Sequence, residues 1–184
     1  MTALAISGSP SRQSKSRRLL VHAVERVARD GLQGSILDLA DLPADDLLGR
    51  TRTDAVERAL AAVLAARLLI VGTPVYRASY SGLLKVFFDL LTPDALAQKV
   101  AIVVATGAGP GHQLVIDHAL RPLLASVGAL VVSTGIYGTD TQFGPEGPDQ
   151  ALLARVDRAV AEALSVAGSF SSADVLPATS HTSR

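Results

Sequence analysis

Five short apolar runs, at residues 4–7, 35–39, 68–72, 100–105 and 130–134, are separated by longer segments in which apolar residues recur every three or four positions. The runs are apolar at successive rather than alternate positions, so each reads as a strand buried on both faces. Between them, residues 15–29 place Leu19, Leu20, Ala23, Val24, Val27 and Ala28 on one helical face. Residues 54–66, 81–91 and 112–127 repeat that pattern, and a last helix is expected over 150–166. Such alternation predicts an α/β fold with a parallel sheet between two helical layers, a three-layer αβα sandwich. Right-handed crossovers leave few topologies. For five strands the common doubly wound order is 2-1-3-4-5, with ligands beyond the carboxyl ends of the strands where the order reverses, between strands 1 and 3.

The 184 residues, about half of them apolar, suit one domain with a substantial core. That domain is expected over residues 1–167; residues 168–184, rich in Ser, Ala and Thr, read as a disordered tail. Lys plus Arg equals Asp plus Glu at 17 each, so no net field draws the chain to nucleic acid or an anionic membrane. Absence of cysteine excludes disulfides, a thiolate nucleophile and a cysteine-ligated metal. With no basic leader and no apolar run near the roughly 20 residues that cross a bilayer, a cytoplasmic location is expected.

Three loops fall at the carboxyl edge of the inferred sheet. The first, residues 8–16, carries the hydroxyls of Ser9, Ser14 and Ser16 directly into a helix start, whose free amides and positive dipole end favour a phosphate monoester. Arg12 or Lys15 could add charge-assisted bonds. Read alone, the same serines also fit an ordinary capped loop. In the second loop Pro74 stiffens the exit from the strand, and Val75 and Tyr76 offer a surface for a flat heteroaromatic ring, or simply pack at a turn. The third, Thr106, Gly107, Ala108 and Gly109, would let a ring approach bare backbone, or serve as a flexible turn. The fold sets the three loops side by side, which favours one shared ligand. GxxxxGK[ST], GxGxxG in the first turn, GxSxG and HExxH are all absent. No catalytic acid, base or metal ligand is assigned.

The chain resembles the NADPH-dependent FMN reductases, in particular the alkanesulfonate-utilisation FMN reductases that feed two-component monooxygenases. The resemblance is carried by Gly8-Ser-Pro with Ser14 and Ser16, by Thr73-Pro-Val-Tyr, by Tyr80-Ser-Gly-Leu-Leu-Lys-Val-Phe-Phe-Asp-Leu-Leu, by Ala105-Thr-Gly and by Asp117-His-Ala-Leu-Arg-Pro-Leu-Leu. It implies a flavodoxin-like fold. It further implies that Ser9, Ser14 and Ser16 hold the FMN phosphate, that residues 74–76 border the isoalloxazine and that residues 106–109 line its other edge. It implies a homodimer or homotetramer as well, with residues 81–91 near the contact and Lys85 and Asp89 spaced to pair.

Three positions depart from the family pattern. Ser11 stands where many relatives carry arginine, leaving any cationic phosphate contact to Arg12 or Lys15. Ala108 replaces a common glycine. His118 stands where alkanesulfonate-type relatives often insert a tyrosine, and a histidine here resembles the methanesulfonate-associated branch; it would tune flavin retention and oligomer state, or merely face a polar partner. The implied activity is hydride transfer from NADPH or NADH to FMN, with reduced FMN passed to an FMNH2-dependent monooxygenase of organosulfonate metabolism. Alternatives are a reductase that keeps its FMN and reduces quinones or azo compounds, and a flavodoxin-like electron carrier.

Overall fold

Strand β1 (Thr2–Ser7) runs down the middle of a parallel sheet, with β2 (Gln33–Asp38) on one side and β3 (Leu68–Pro74) on the other. Beyond β3 lie β4 (Val100–Gly107) and β5 (Leu130–Val131), completing the order β2-β1-β3-β4-β5 expected from the sequence. The computed structural model describes residues 1–169. The tail expected from residue 168 lies, from residue 170 onward, outside the described residues.

Helices α1 (Lys15–Arg29) and α6 (Gln150–Ser169) cover one face of the sheet. There Leu19, Leu20, Ala23 and Val27 pack with Leu152, Val156 and Val160 over Ala5, Ile70 and Ile102. Helices α3 (Asp54–Ala65), α4 (Gly82–Phe88) and α5 (Arg121–Ser126) cover the other, with Val56, Phe87 and Leu124 over Leu4, Leu69 and Val103. β3 and β4 sit between both cores, which is why their side chains are almost all buried. A single-turn helix, α2 (Ala44–Leu47), lies between β2 and α3.

Two elements differ from the sequence expectation. The strand expected at 130–134 is reduced to β5 (Leu130–Val131), and a further strand the sequence reading did not include, β6 (Ile136–Thr139), follows it; both pair with β4. Side chains take the backbone groups between them. The amides of Ser133 and Thr134 donate to the Glu162 carboxylate at 2.7 and 3.0 Å, and Arg121 donates to the Val132 and Ser133 carbonyls at 2.7 and 2.6 Å. A small hairpin, β7 (Phe143–Gly144) with β8 (Gly147–Pro148), then precedes α6.

The helix expected over 112–127 is also broken. It begins as a 3-10 turn, Pro110–His112, widens to a π-helical turn, Ile116–Leu120, and becomes α-helical only in α5. Pro122 supplies a reason: without an N–H it cannot complete the α-helical bond to the carbonyl four residues back, and its ring crowds that turn.

Candidate functional site

The first loop is built around a close approach. Gly8 N donates to the Gly72 carbonyl at 2.7 Å, and a Cβ on Gly8 would lie 2.9 Å from the Leu84 Cβ, so any larger residue would push the loop off α4. The Ser81 hydroxyl donates to the Gly8 carbonyl at 2.5 Å and accepts from Leu84 N at 3.1 Å. Thus the N-cap of α4 ties the first loop to the second. Thr73, fully buried, accepts from Ser81 N at 3.0 Å and donates to the Pro74 carbonyl at 2.9 Å.

Within the first loop, Ser9 is buried and accepts from Ser11 N at 3.1 Å. Ser14 caps α1, accepting from Arg17 N at 3.2 Å, and lies 3.3 Å from the buried Ser16 hydroxyl. The capping reading of Ser14 is therefore realised, and it is compatible with a ligand: the first turn of a helix leaves the Lys15 and Ser16 amides without acceptors inside the helix.

Arg12 and Arg17 turn toward the end of β2 and the short turn that follows it. Arg12 pairs with Asp41 on the surface. Arg17 grips the largely buried Asp38 with three hydrogen bonds of 2.9–3.0 Å. Burial pushes the Asp38 carboxyl up, but the Arg17 hydrogen bonds and charge outweigh it and hold the acid below its ordinary value. The same hydrogen bonding raises the Arg17 guanidinium. Lys15 points the other way, to Asp140 at 2.8 Å, with its ammonium 5.6 Å from the centre of the Phe143 ring.

In the second loop, Val75 N donates to the Thr106 carbonyl at 2.7 Å, prolonging the β3–β4 ladder. Tyr76 and Ser79 then exchange backbone hydrogen bonds of 2.9 and 3.1 Å across Arg77 and Ala78. Both of these residues adopt left-handed backbone, at φ 50° and 64°, the geometry of a two-residue turn that usually takes Asn-Gly. Tyr76 is left half-exposed at its base. The third loop is held by Tyr137 of β6, whose hydroxyl donates to the Gly109 carbonyl at 2.7 Å. Burial, and then the Asp140 charge, raise this phenol above its ordinary value, so it stays a donor at neutral pH.

These loops border an open cleft of about 210 Å³ at the carboxyl edge of the sheet, lined by Ser14, Lys15, residues 74–76, residues 106–108 and Asp140. Of the residues singled out in the sequence, Ser14, Lys15, Pro74, Val75, Tyr76, Thr106, Gly107 and Ala108 meet there. Ser9 and Ser16 lie buried beneath the first loop, Gly109 accepts from Tyr137, and Arg12 is turned to Asp41. Lys85 and Asp89 form an exposed pair at 2.6–2.8 Å, with Asp89 raising the Lys85 ammonium by hydrogen bonding. His118 is exposed on the π-helical turn. Asp140 and Tyr137 carry little sequence signal: the short segment 136–139, which holds Tyr137 and precedes Asp140, follows the apolar run at 130–134 too closely to stand out as a separate strand.

The doubly wound sheet, with a cleft lined by hydroxyl, ammonium, aromatic and bare-backbone groups beyond its first, third and fourth strands, defines a flavodoxin-like protein. The sequence profile of the NADPH-dependent FMN reductases matches residues 1–144. The chain belongs to that family. It is 39% identical over 155 residues to an FMN reductase (NADPH) of Pseudomonas putida KT2440, covering 83% of this chain and 79% of the relative. It is 34% identical over 166 residues to the NADH-dependent FMN reductase SfnE of Pseudomonas putida, covering 88% and 89%. The solved apo structure of the NADH:FMN oxidoreductase EMOB superposes with a TM-score of 0.82 at 38% identity, over 93% of this chain and 90% of that one.

Proposed function

We propose that the chain transfers a hydride from NADPH or NADH to FMN bound in this cleft and releases reduced FMN to a flavin-dependent monooxygenase. The observation that carries the reading is the cleft itself, whose lining brings Ser14 and Lys15 together with Val75, Tyr76 and residues 106–108. The donor set fits a flavin phosphate, and the walls fit its ring.

The flavin supplies the redox chemistry, and the protein binds and orients it. The Ser14 and Ser16 hydroxyls, the open amides of the first helical turn and the Lys15 ammonium would hold the phosphate. Thr73 and Ser81 keep the first two loops in register beneath it. The ring would lie between Tyr76 and the backbone of residues 106–109, leaving one face open for the nicotinamide. Close alignment of the two rings lowers the barrier without an acid or base. Lys85 and Asp89 would sit near a dimer contact and His118 at a further interface, in an oligomer of two or four chains acting in the cytoplasm. The organosulfonate setting rests on the sequence resemblance in residues 73–91 and 105–124. Among the described residues, no helix is long and apolar enough to cross a membrane.

The test is an initial-rate assay of NADPH and NADH oxidation with FMN, FAD and riboflavin varied in turn. Saturation in added FMN, with riboflavin distinctly weaker, supports the reading. Riboflavin working as well as FMN would remove the phosphate grip. Turnover that needs a quinone or azo acceptor with FMN kept bound would favour the retaining reductase, and no nicotinamide oxidation would favour an electron carrier.

A further inference from the structure

The cleft has a fourth wall that none of the three loops supplies, the turn after β6. Its acid, Asp140, lines the cleft and pairs with Lys15 at 2.8 Å. Lys15 is the one cation in the cleft lining among the described residues. The turn carrying Asp140 is firmly built. Thr139 and Gln142 form a capping box around it, Asp140 N donates to the Ala108 carbonyl at 3.4 Å, and Tyr137 just before it is bonded to Gly109. The backbone that carries the carboxylate is therefore held in place rather than loose.

We infer that Asp140 is a positioning residue that loosens the grip on the flavin phosphate by competing with it for the Lys15 ammonium. The inference rests on the reading that FMN binds in this cleft. A phosphate monoester is a dianion, and charge-assisted bonds to a cation are its strongest contacts. Here Lys15, the one cation in the lining among the described residues, is already paired with Asp140. An arriving phosphate must draw Lys15 from Asp140 or share it, and it also meets the carboxylate's own negative charge. Both effects act on FMN and neither acts on riboflavin, which lacks the phosphate. A protein that hands its flavin on is served by such competition, whereas one that retains FMN is not.

The test measures dissociation constants of FMN and riboflavin by flavin fluorescence for the wild type, Asp140→Asn, Asp140→Glu and the same Asp140→Asn change in a Lys15→Met background. The readout is the ratio of FMN affinity to riboflavin affinity. Removing the competing charge is expected to raise that ratio by roughly three-fold or more, the scale of an exposed ion pair. Asp140→Glu should return it to the wild-type ratio, and without Lys15 the gain should shrink to the part that direct repulsion by the carboxylate accounts for. A ratio that is unchanged or falls in Asp140→Asn, or rises equally in the Lys15→Met background, overturns the inference while leaving the cleft's function standing. A wild-type protein that binds neither flavin overturns the reading of the cleft, and the inference with it.

Discussion

Tyr137 and Gly107 occupy one another's space: the tyrosine hydroxyl, on its way to the Gly109 carbonyl, fills the volume that a Cβ on Gly107 would need. The third loop is thus pinned by a side chain from β6 and tolerates no side chain at its second residue. Gly107→Ala should displace the phenol and break its hydrogen bond, costing about 1–3 kcal/mol for the overpacked contact. Thermal unfolding should show the loss, and the FMN concentration at half-saturation should rise. Tyr137→Phe alone should cost about 1 kcal/mol for the lost bond. Combined with Gly107→Ala it should recover part of the stability, because the hydroxyl causing the clash is gone.

Ser14 has two duties, capping α1 and facing the cleft. Ser14→Ala should lower stability by about 1 kcal/mol, the usual cost of losing an N-cap, and should also raise the half-saturating FMN concentration more than that of riboflavin. Ser14→Asp would keep the cap but set a negative charge against the phosphate. Near wild-type melting with strongly weakened FMN binding is the expected pair of results, read by thermal shift and by initial rates.

Asp38 gives the fold an acid-sensitive joint between β2 and α1. Its carboxyl is held below its ordinary value in the folded chain by Arg17. A lowered folded-state value means that the stabilisation is fully present above the unfolded value of about 3.9 and is lost as pH falls through the lower folded value. Asp38→Asn should remove this part of the acid dependence of the melting temperature below about pH 5. At neutral pH it should cost roughly 1–3 kcal/mol, since a partly buried guanidinium loses its charged partner. Melting curves of both proteins across pH 3 to 7 check the sign.

Ala78 stands in left-handed backbone at the tip of the second loop, where a side chain costs about 1–2 kcal/mol relative to ordinary helical geometry. Ala78→Gly should relieve that strain, with part of the gain offset by the greater freedom of glycine in the unfolded chain. A net gain of up to about 1 kcal/mol in denaturant unfolding is expected. Ala78→Val should be destabilising, because a β-branched residue is poorly accommodated at positive φ.

How much of this was legible depends on how local each cause is. Leu68 to Gly72 and Val100 to Ala105 announced themselves as buried strands because a parallel sheet covered on both faces demands unbroken apolar runs. With the periodicity of Leu19, Leu20, Ala23 and Val27, that pattern determined the αβα architecture and the strand order. It also determined that the loops at Ser14, Tyr76 and Gly107 share one edge, since strand order alone makes them neighbours. What it left open depends on residues far apart in the chain. Arg12 looked free to meet a phosphate until the fold brought Asp41, 29 positions away, beside it. Asp140 lines the cleft beyond a stretch between β5 and β6 whose backbone groups are taken by Glu162 and Arg121, 28 or 29 and 11 or 12 positions away. Local pattern and propensity set the frame; which charges meet in the cleft is decided by contacts that exist only once the sheet has assembled.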